Sequence, residues 1–356
     1  MTDRKRRLPA EWEPQEYVLI TWPTEHTDWA DTLDEVQACY AEIISTISRY
    51  QAVVIVSSYS HKGYIMSLLE AYPHKKKNIR LVAYEYNDTW IRDYGVITIF
   101  DKDKSILQQR PYPIRNYSKD KRLFLDFRFN GWGLKYPADK DNLFVRNHYQ
   151  LVYGYEQHQD FVLEGGSIDS NGEGMILTTA SCLFSYNRNE FMTEREIKTY
   201  LSKTLGAKGL LVLKHGELMG DDTDGHIDTL ARFCAPDIIA YVQCQRQSDP
   251  HYDSLLAMEK ELKRFRRKGK PYQLLPLPLP EPIYYKGIRR PATYANFLII
   301  NDAVLVPTYG QPQNDYDAIG TLQAAFPERK VIGIDCCALI KQGGSLHCAT
   351  MQVPAP

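Results

Sequence analysis

Net charge is almost absent from this chain: 43 basic residues face 44 acidic ones, leaving −1 over 356 residues. Without a global field, no nucleic acid or anionic membrane surface is expected as a partner. The basic runs Arg4–Arg7, Lys75–Lys77 and Arg264–Lys270 are short and scattered, and each reads as a solvated tail, loop or helix face. Long apolar runs are missing too. No stretch approaches the roughly 18 apolar residues of a membrane helix. None follows the opening Met-Thr-Asp-Arg-Lys-Arg-Arg, so a standard signal peptide is not expected. The seven cysteines include no Cys-x-x-Cys pair and no zinc-ribbon spacing. Reduced thiols in a cytoplasmic protein are the expectation. No His-Glu-x-x-His helix and no EF-hand loop supports a metal.

A recurring order of elements is present instead. Leu163-Glu164-Gly165-Gly166-Ser167-Ile168 leads through an Asn-Gly turn into Met175–Thr178, which reads as a hairpin. Thr193 and Glu196 have capping-box spacing, opening a helix toward Gly206, and Leu210–Leu213 reads as a strand. The same order returns after Gly225 and after Ala295. An earlier copy starts at Ile91, with strands expected at Val96–Phe100 and Ser105–Gln108 and an insertion-like aromatic stretch at 110–136. The N-terminal unit, with Val18–Trp22, a helix at Asp34–Tyr50 and a strand at Val53–Val56, lacks a first strand. The segment around Leu346–Met351 is a candidate to supply it. The proline-rich stretch 276–282 reads as a rigid surface loop. Repeats of this size cannot bury their own apolar face. The expected fold is α/β: a pseudo-fivefold propeller of five ββαβ repeats around a central channel, in one domain over residues 1–356. An ordinary mixed α/β domain is the alternative.

The reactive residues fall at matching places: positions 93, 164, 226, 296 and 348 are spaced by 71, 62, 70 and 52 residues. Cys348 carries the most capable side-chain nucleophile near neutral pH, although a lone buried cysteine is more often a small hydrophobe. His226 and Asp228 would share one face if 226–233 formed a strand, a pairing suited to proton transfer or to holding a metal. His347 would then point away from Cys348's face and read as structural. Glu164 precedes two glycines that permit close backbone approach. Asp93 follows Trp90, a carboxylate and an aromatic wall for a cation.

The strings Asn-Asp-Thr-Trp-Ile-Arg-Asp-Tyr-Gly (87–95), Phe-Asn-Gly-Trp-Gly (129–133), Leu-Glu-Gly-Gly-Ser (163–167), Asp-Gly-His-Ile-Asp (224–228), Tyr-Ala-Asn-Phe (294–297) and Gly-Gly-Ser-Leu-His-Cys (343–348) together resemble the agmatine deiminases and the wider group of bacterial peptidylarginine deiminases. The resemblance implies the fivefold propeller, known as the pentein fold. It also implies hydrolysis of agmatine to N-carbamoylputrescine and ammonia through a covalent thiouronium on cysteine, a step of polyamine synthesis. Peptidyl-arginine or free arginine is the alternative substrate, and a non-catalytic guanidinium-binding protein the second alternative. By the same resemblance Cys348 is the nucleophile, His226 the general acid/base and Glu164 the orienting carboxylate. Asp93 and Asp228 bind the guanidinium, with Trp90 as a wall. Asp222 falls near the substrate's distal amine, in a loop reading Asp-Asp-Thr-Asp-Gly where some members have Glu-Thr-Asn-Gly. No cofactor and no metal are implied. The partner is a small guanidinium substrate, and a homodimer through an aromatic stretch such as Tyr112–Trp132 is compatible with the family.

Overall fold

The computed structural model describes residues 6–102, 122–152 and 157–356. One sheet pattern recurs five times: a strand pairs antiparallel with the next, and that one pairs parallel with a strand reached across a helix. Ile97–Asp101, Arg122–Arg128 and Gln157–Val162 form one such set. Ile168–Ser170, Met175–Thr179 and Gly209–Leu213 form another. Ala231–Ala235, Ile238–Gln243 and Gln273–Pro278 follow, then Leu298–Ile300, Ala303–Thr308 and Lys330–Asp335. The fifth set joins the two ends of the chain: Thr350–Pro354 pairs antiparallel with Gln15–Thr21, which runs parallel to Ala52–Ser57. The C-terminal segment therefore does supply the missing first strand, slightly later than expected. Together these elements make a mixed α/β fold.

Local sequence explains the helices that cross between parallel strands. Leu33–Ser48 turns Val36, Cys39, Tyr40, Ile43, Ile44 and Ile47 inward at helical spacing. Each fully buried aliphatic side chain there contributes roughly 1.5–3 kcal/mol. Glu194–Thr204 begins with the reciprocal Thr193–Glu196 capping box. It stops before Gly206, whose φ of +75° favours glycine, and a Cβ there would meet the Arg6 carbonyl oxygen at 1.9 Å.

Three expectations need correction. The antiparallel partner of Ile97–Asp101 is Arg122–Arg128, inside the stretch read as an insertion. Residues 105–108, and residues 110–121 of the aromatic stretch, lie outside the described residues. The prolines at 276 and 278 sit in a true strand, Gln273–Pro278. That strand is the last in its sheet order, where a missing N–H can face away from the ladder. Residues 226–233 are not one strand: Ile227–Thr229 is a 3-10 turn, and the strand begins at Ala231. Among the described residues, no helix is long and apolar enough to cross a membrane.

Candidate active site

Each spaced position lies just before the first strand of its set. Asp93 is on the helical turn Ile91–Tyr94 ahead of Ile97, and Glu164 precedes the turn Gly165–Ser167 ahead of Ile168. His226 and Asp228 flank the start of the turn before Ala231; Asn296 precedes Leu298, and Cys348 precedes Thr350. Five strand entries thus deliver their side chains to one place. His226 and Asp228 meet there through the turn rather than through a shared strand face.

A pocket of about 270 Å³ opens onto this place, with Asp93, His226 and Cys348 at its floor and Trp90 and Trp132 on its walls. Glycines let the floor close up. A Cβ on Gly166 would meet His226 Nδ1 at 2.6 Å and Asp93 Oδ1 at 2.9 Å, and one on Gly344 would strike the Trp90 ring at 2.4 Å. The Gly166 backbone N–H donates to Asp93 Oδ1 at 3.0 Å, and Trp132 Nε1 donates to Asp93 Oδ2 at 2.9 Å. Burial pushes the Asp93 carboxyl up to about 6 even with His226 opposing the shift.

His226 is 1% exposed, with Nε2 2.7 Å from Glu164 Oε2 and Nδ1 3.6 Å from Asp93 Oδ1. Burial alone would discharge this imidazole; the Asp93 carboxylate, then Cys182 and the Glu164 hydrogen bond, together outweigh it and raise its pKa well above the usual value. Burial likewise opposes ionisation of Glu164, yet its pKa falls, because His226 and Arg188 both favour the carboxylate. Arg188 donates from Nε to Oε1 at 3.1 Å and from Nη2 to Oε2 at 3.0 Å. The site thus holds a charged acid, His226, backed by a clamped base.

Cys348 is 8% exposed. Its Sγ accepts from Asn296 Nδ2 at 3.2 Å and lies 3.7 Å from Asp228 Oδ2. Burial, then the Asp228 and Asp93 carboxylates, push this thiol well above the usual range, so the unliganded group is a thiol. Asp228 Oδ2 accepts from His347 Nδ1 at 2.7 Å, while Oδ1 is buried without a hydrogen-bond partner among the described residues. An ionised oxygen buried this way is costly unless a donor arrives.

Asn296, Arg188 and Cys182 reach the site without an expected role. Asn296 was visible as a member of the spacing and of the string at 294–297; its Oδ1 also accepts from the His347 N–H at 2.9 Å, fixing the loop that carries Cys348. Arg188 gave no signal in the sequence, because it reaches Glu164 from a separate helical turn, Tyr186–Asn189. Glu164, Cys182 and His226 are close enough to hold a metal ion, but Glu164 already bonds Arg188 and His226, and burial pushes the Cys182 thiol up to about 11. His347 is not a bystander on the opposite face: it bridges Asp228 and Glu11. At the mouth, Asp222 is exposed and accepts from the Tyr136 hydroxyl at 2.9 Å, with Asp28, Asp88 and Arg290 nearby on the lining.

Known proteins share this arrangement of chain. Residues 7–354 match the profile of the Porphyromonas-type peptidyl-arginine deiminases. An agmatine deiminase of Pseudomonas aeruginosa is 30% identical, over 98% of this chain and 96% of its own. A Porphyromonas gingivalis structure provisionally named an arginine deiminase is 45% identical, with a TM-score of 0.88 over 98% of both chains. A C. jejuni agmatine deiminase solved with substrate bound is 35% identical, with a TM-score of 0.88 over 98% of this chain and 96% of its own. With a match running through every strand entry that supplies the pocket floor, the chain belongs to the Porphyromonas-type peptidyl-arginine deiminase family.

Proposed function

We propose that this chain hydrolyses the guanidinium group of agmatine, giving N-carbamoylputrescine and ammonia, with Cys348 as nucleophile. One observation carries the reading: a buried thiol lies 3.7 Å from a carboxylate whose other oxygen lacks a partner among the described residues, with His226 on the same floor hydrogen-bonded to Glu164. Asp228 Oδ1 and Asp93 suit the N–H edges of a planar cation, and the Trp90 and Trp132 rings suit its faces. The cation lowers the cost of the Cys348 thiolate, which releases its proton to water in the open pocket. The thiolate attacks the guanidinium carbon. His226 gives its proton to the departing nitrogen, the C–N bond breaks and ammonia leaves. A thiouronium on Cys348 remains. His226, now neutral and held by Glu164, takes a proton from water as the water adds to the carbon. The C–S bond breaks, its electron pair stays on the Cys348 sulfur, the hydroxyl proton passes through water to restore the thiol, and the ureido product departs. Every step uses groups of the chain, the substrate or water.

The acidic mouth favours agmatine, whose distal ammonium would meet Asp222, Asp88 and Asp28. A second reading, free or peptidyl arginine, draws on Arg290. It lines the same mouth, and its Nε is buried without a hydrogen-bond partner among the described residues, a group an α-carboxylate would satisfy. The reading also takes the chain as one catalytic domain, residues 1–356, whose five sheets close a pseudo-fivefold ring. The repeated pairing pattern and the joining of the two chain ends support that closure. Cys348→Ala should lower ammonia release from agmatine by roughly 10⁴-fold or more with an unchanged thermal transition; undiminished turnover would sink the assignment. Competition among agmatine, arginine and a blocked arginine peptide, reading each ureido product, separates the two substrate classes.

A further inference from the structure

His347 precedes the nucleophile, yet its ring belongs to a different set of contacts. Its Nδ1 lies 2.7 Å from Asp228 Oδ2 and its Nε2 lies 2.8 Å from Glu11 Oε2. The three residues are 2%, 0% and 6% exposed, so water does not mediate these bonds. An ionised carboxylate only accepts hydrogen bonds, and a neutral imidazole has one donor. Two carboxylates facing both ring nitrogens therefore call for a doubly protonated ring.

Glu11 is fixed from other directions. Its Oε1 accepts from the Ile299 N–H at 2.7 Å, and its Oε2 also accepts from Arg232 Nη2 at 2.7 Å. The imidazole ring is thus held at its far end by an anchored group, and its near end sets the rotation of Asp228. With Oδ2 taken by His347, it is Oδ1 that remains without a partner among the described residues. We propose that His347 is a positioning residue for deimination: an imidazolium pinned between Glu11 and Asp228 that fixes the rotation of Asp228, reserves its Oδ1 for a substrate donor and keeps that carboxylate ionised while the pocket is empty. The inference rests on the deiminase reading for its kinetic consequence, but not for the charge state of the ring.

The charges facing Asp228 are consistent with this division of labour. His347 and Cys348 approach from the C-terminal loop, His226 and Arg232 from its own neighbourhood, and Asp93 and Arg92 from the turn Ile91–Tyr94. Burial alone would raise the Asp228 carboxyl; the His347 hydrogen bond and charge outweigh it, with His226 and Arg232 adding less, and hold it below the usual range. The guanidinium itself would favour the ionised form, so His347 matters most before substrate arrives. Its removal should appear in KM and in the pH profile more than in kcat.

The test is His347→Gln, which keeps a donor for one carboxylate and removes the charge. Agmatine KM should rise roughly 10–100-fold, as for loss of a charge-assisted hydrogen bond, with kcat within about threefold. The acid limb of kcat/KM should move to higher pH, because Asp228 protonates more easily without the imidazolium. Glu11→Gln should shift KM in the same direction by less. Nitrogen-15 NMR of the wild-type protein reads the charge directly: both His347 ring nitrogens should carry protons near neutral pH, whether or not agmatine is turned over. A neutral tautomer there, or a His347→Gln protein of wild-type KM and pH profile, would overturn the proposal. If the variant does not fold, the NMR measurement still decides. If the wild-type protein shows no turnover, the deiminase reading fails while the charge state of His347 is still measured.

Discussion

The floor and the mouth of the pocket are built on different principles. At the floor, Glu164 holds two cationic partners at 3.2 Å or less, and Asp228 and Glu11 share an imidazole. These groups are almost fully buried, so each charge survives only because its partners are fixed by neighbouring strand entries. At the mouth, Asp222 is exposed and Asp221 and Arg290 are half-exposed, whereas the Asp88 carboxyl sits deeper and is desolvated by burial. Water screens the exposed Asp222 charge, while Asp221 is tied into its own loop by Thr223 and Gly225. The contrast assigns recognition and cleavage of the guanidinium to a rigid, dry base. It leaves the identity of the substrate's far end to weaker, adjustable contacts.

Replacing one charge in each region tests that contrast. Arg188→Met leaves Glu164 buried with His226 as its one remaining strong cation. Unfolding by urea should show a loss of about 3–5 kcal/mol, as for one half of a buried ion pair. A loss near zero would mean the floor is wetter and more tolerant than described. Asp222→Asn removes an exposed charge at the mouth and should raise the agmatine KM by at most about fivefold, with the unfolding transition unmoved. A KM effect as large as that of a floor residue would erase the distinction. The smallest expected effect is one of pH. Burial raises the Asp88 carboxyl to about 7, so it ionises as pH climbs past neutrality and adds negative charge where a distal ammonium would sit. Agmatine KM should fall by roughly threefold between about pH 6 and 8, and Asp88→Asn should flatten that dependence. The sign for stability is opposite. The folded protein keeps this proton where the unfolded chain, with its ordinary value of 3.8, has lost it, so stability declines as pH rises from about 4 through about 7. Thermal melts of the wild type and Asp88→Asn across that range would check it.

Much of the floor was legible because its residues sit at recurring places. Asp93, Glu164, His226, Asn296 and Cys348 each stand at a strand entry, and glycines mark where the backbone must approach. The capping box at Thr193 and the Asn-Gly hairpin were local signals, and local physics suffices for them. The strand face expected for His226 and Asp228 was wrong because a 3-10 turn intervenes. They still converge, since a turn at a strand entry can aim two side chains together as well as a strand can. Arg188 and His347 escaped for another reason: one reaches Glu164 across 24 residues of chain, the other reaches Glu11 across 336. Nothing in a linear pattern indicates which buried charge will find which.

The sequence alone determined the recurring order of strands and helices outside the first set and the turn at 227–229, the spacing of the reactive residues and their chemical types, because periodicity, turn chemistry and motif strings are properties of neighbours along the chain. Only the tertiary structure decided that Asp228 keeps one oxygen free, that Glu164 is clamped by Arg188, and that the Cys348 thiol is protonated without a ligand. Those outcomes depend on burial and on charges brought within a few ångströms from distant parts of the chain, where desolvation and Coulomb attraction compete at close range.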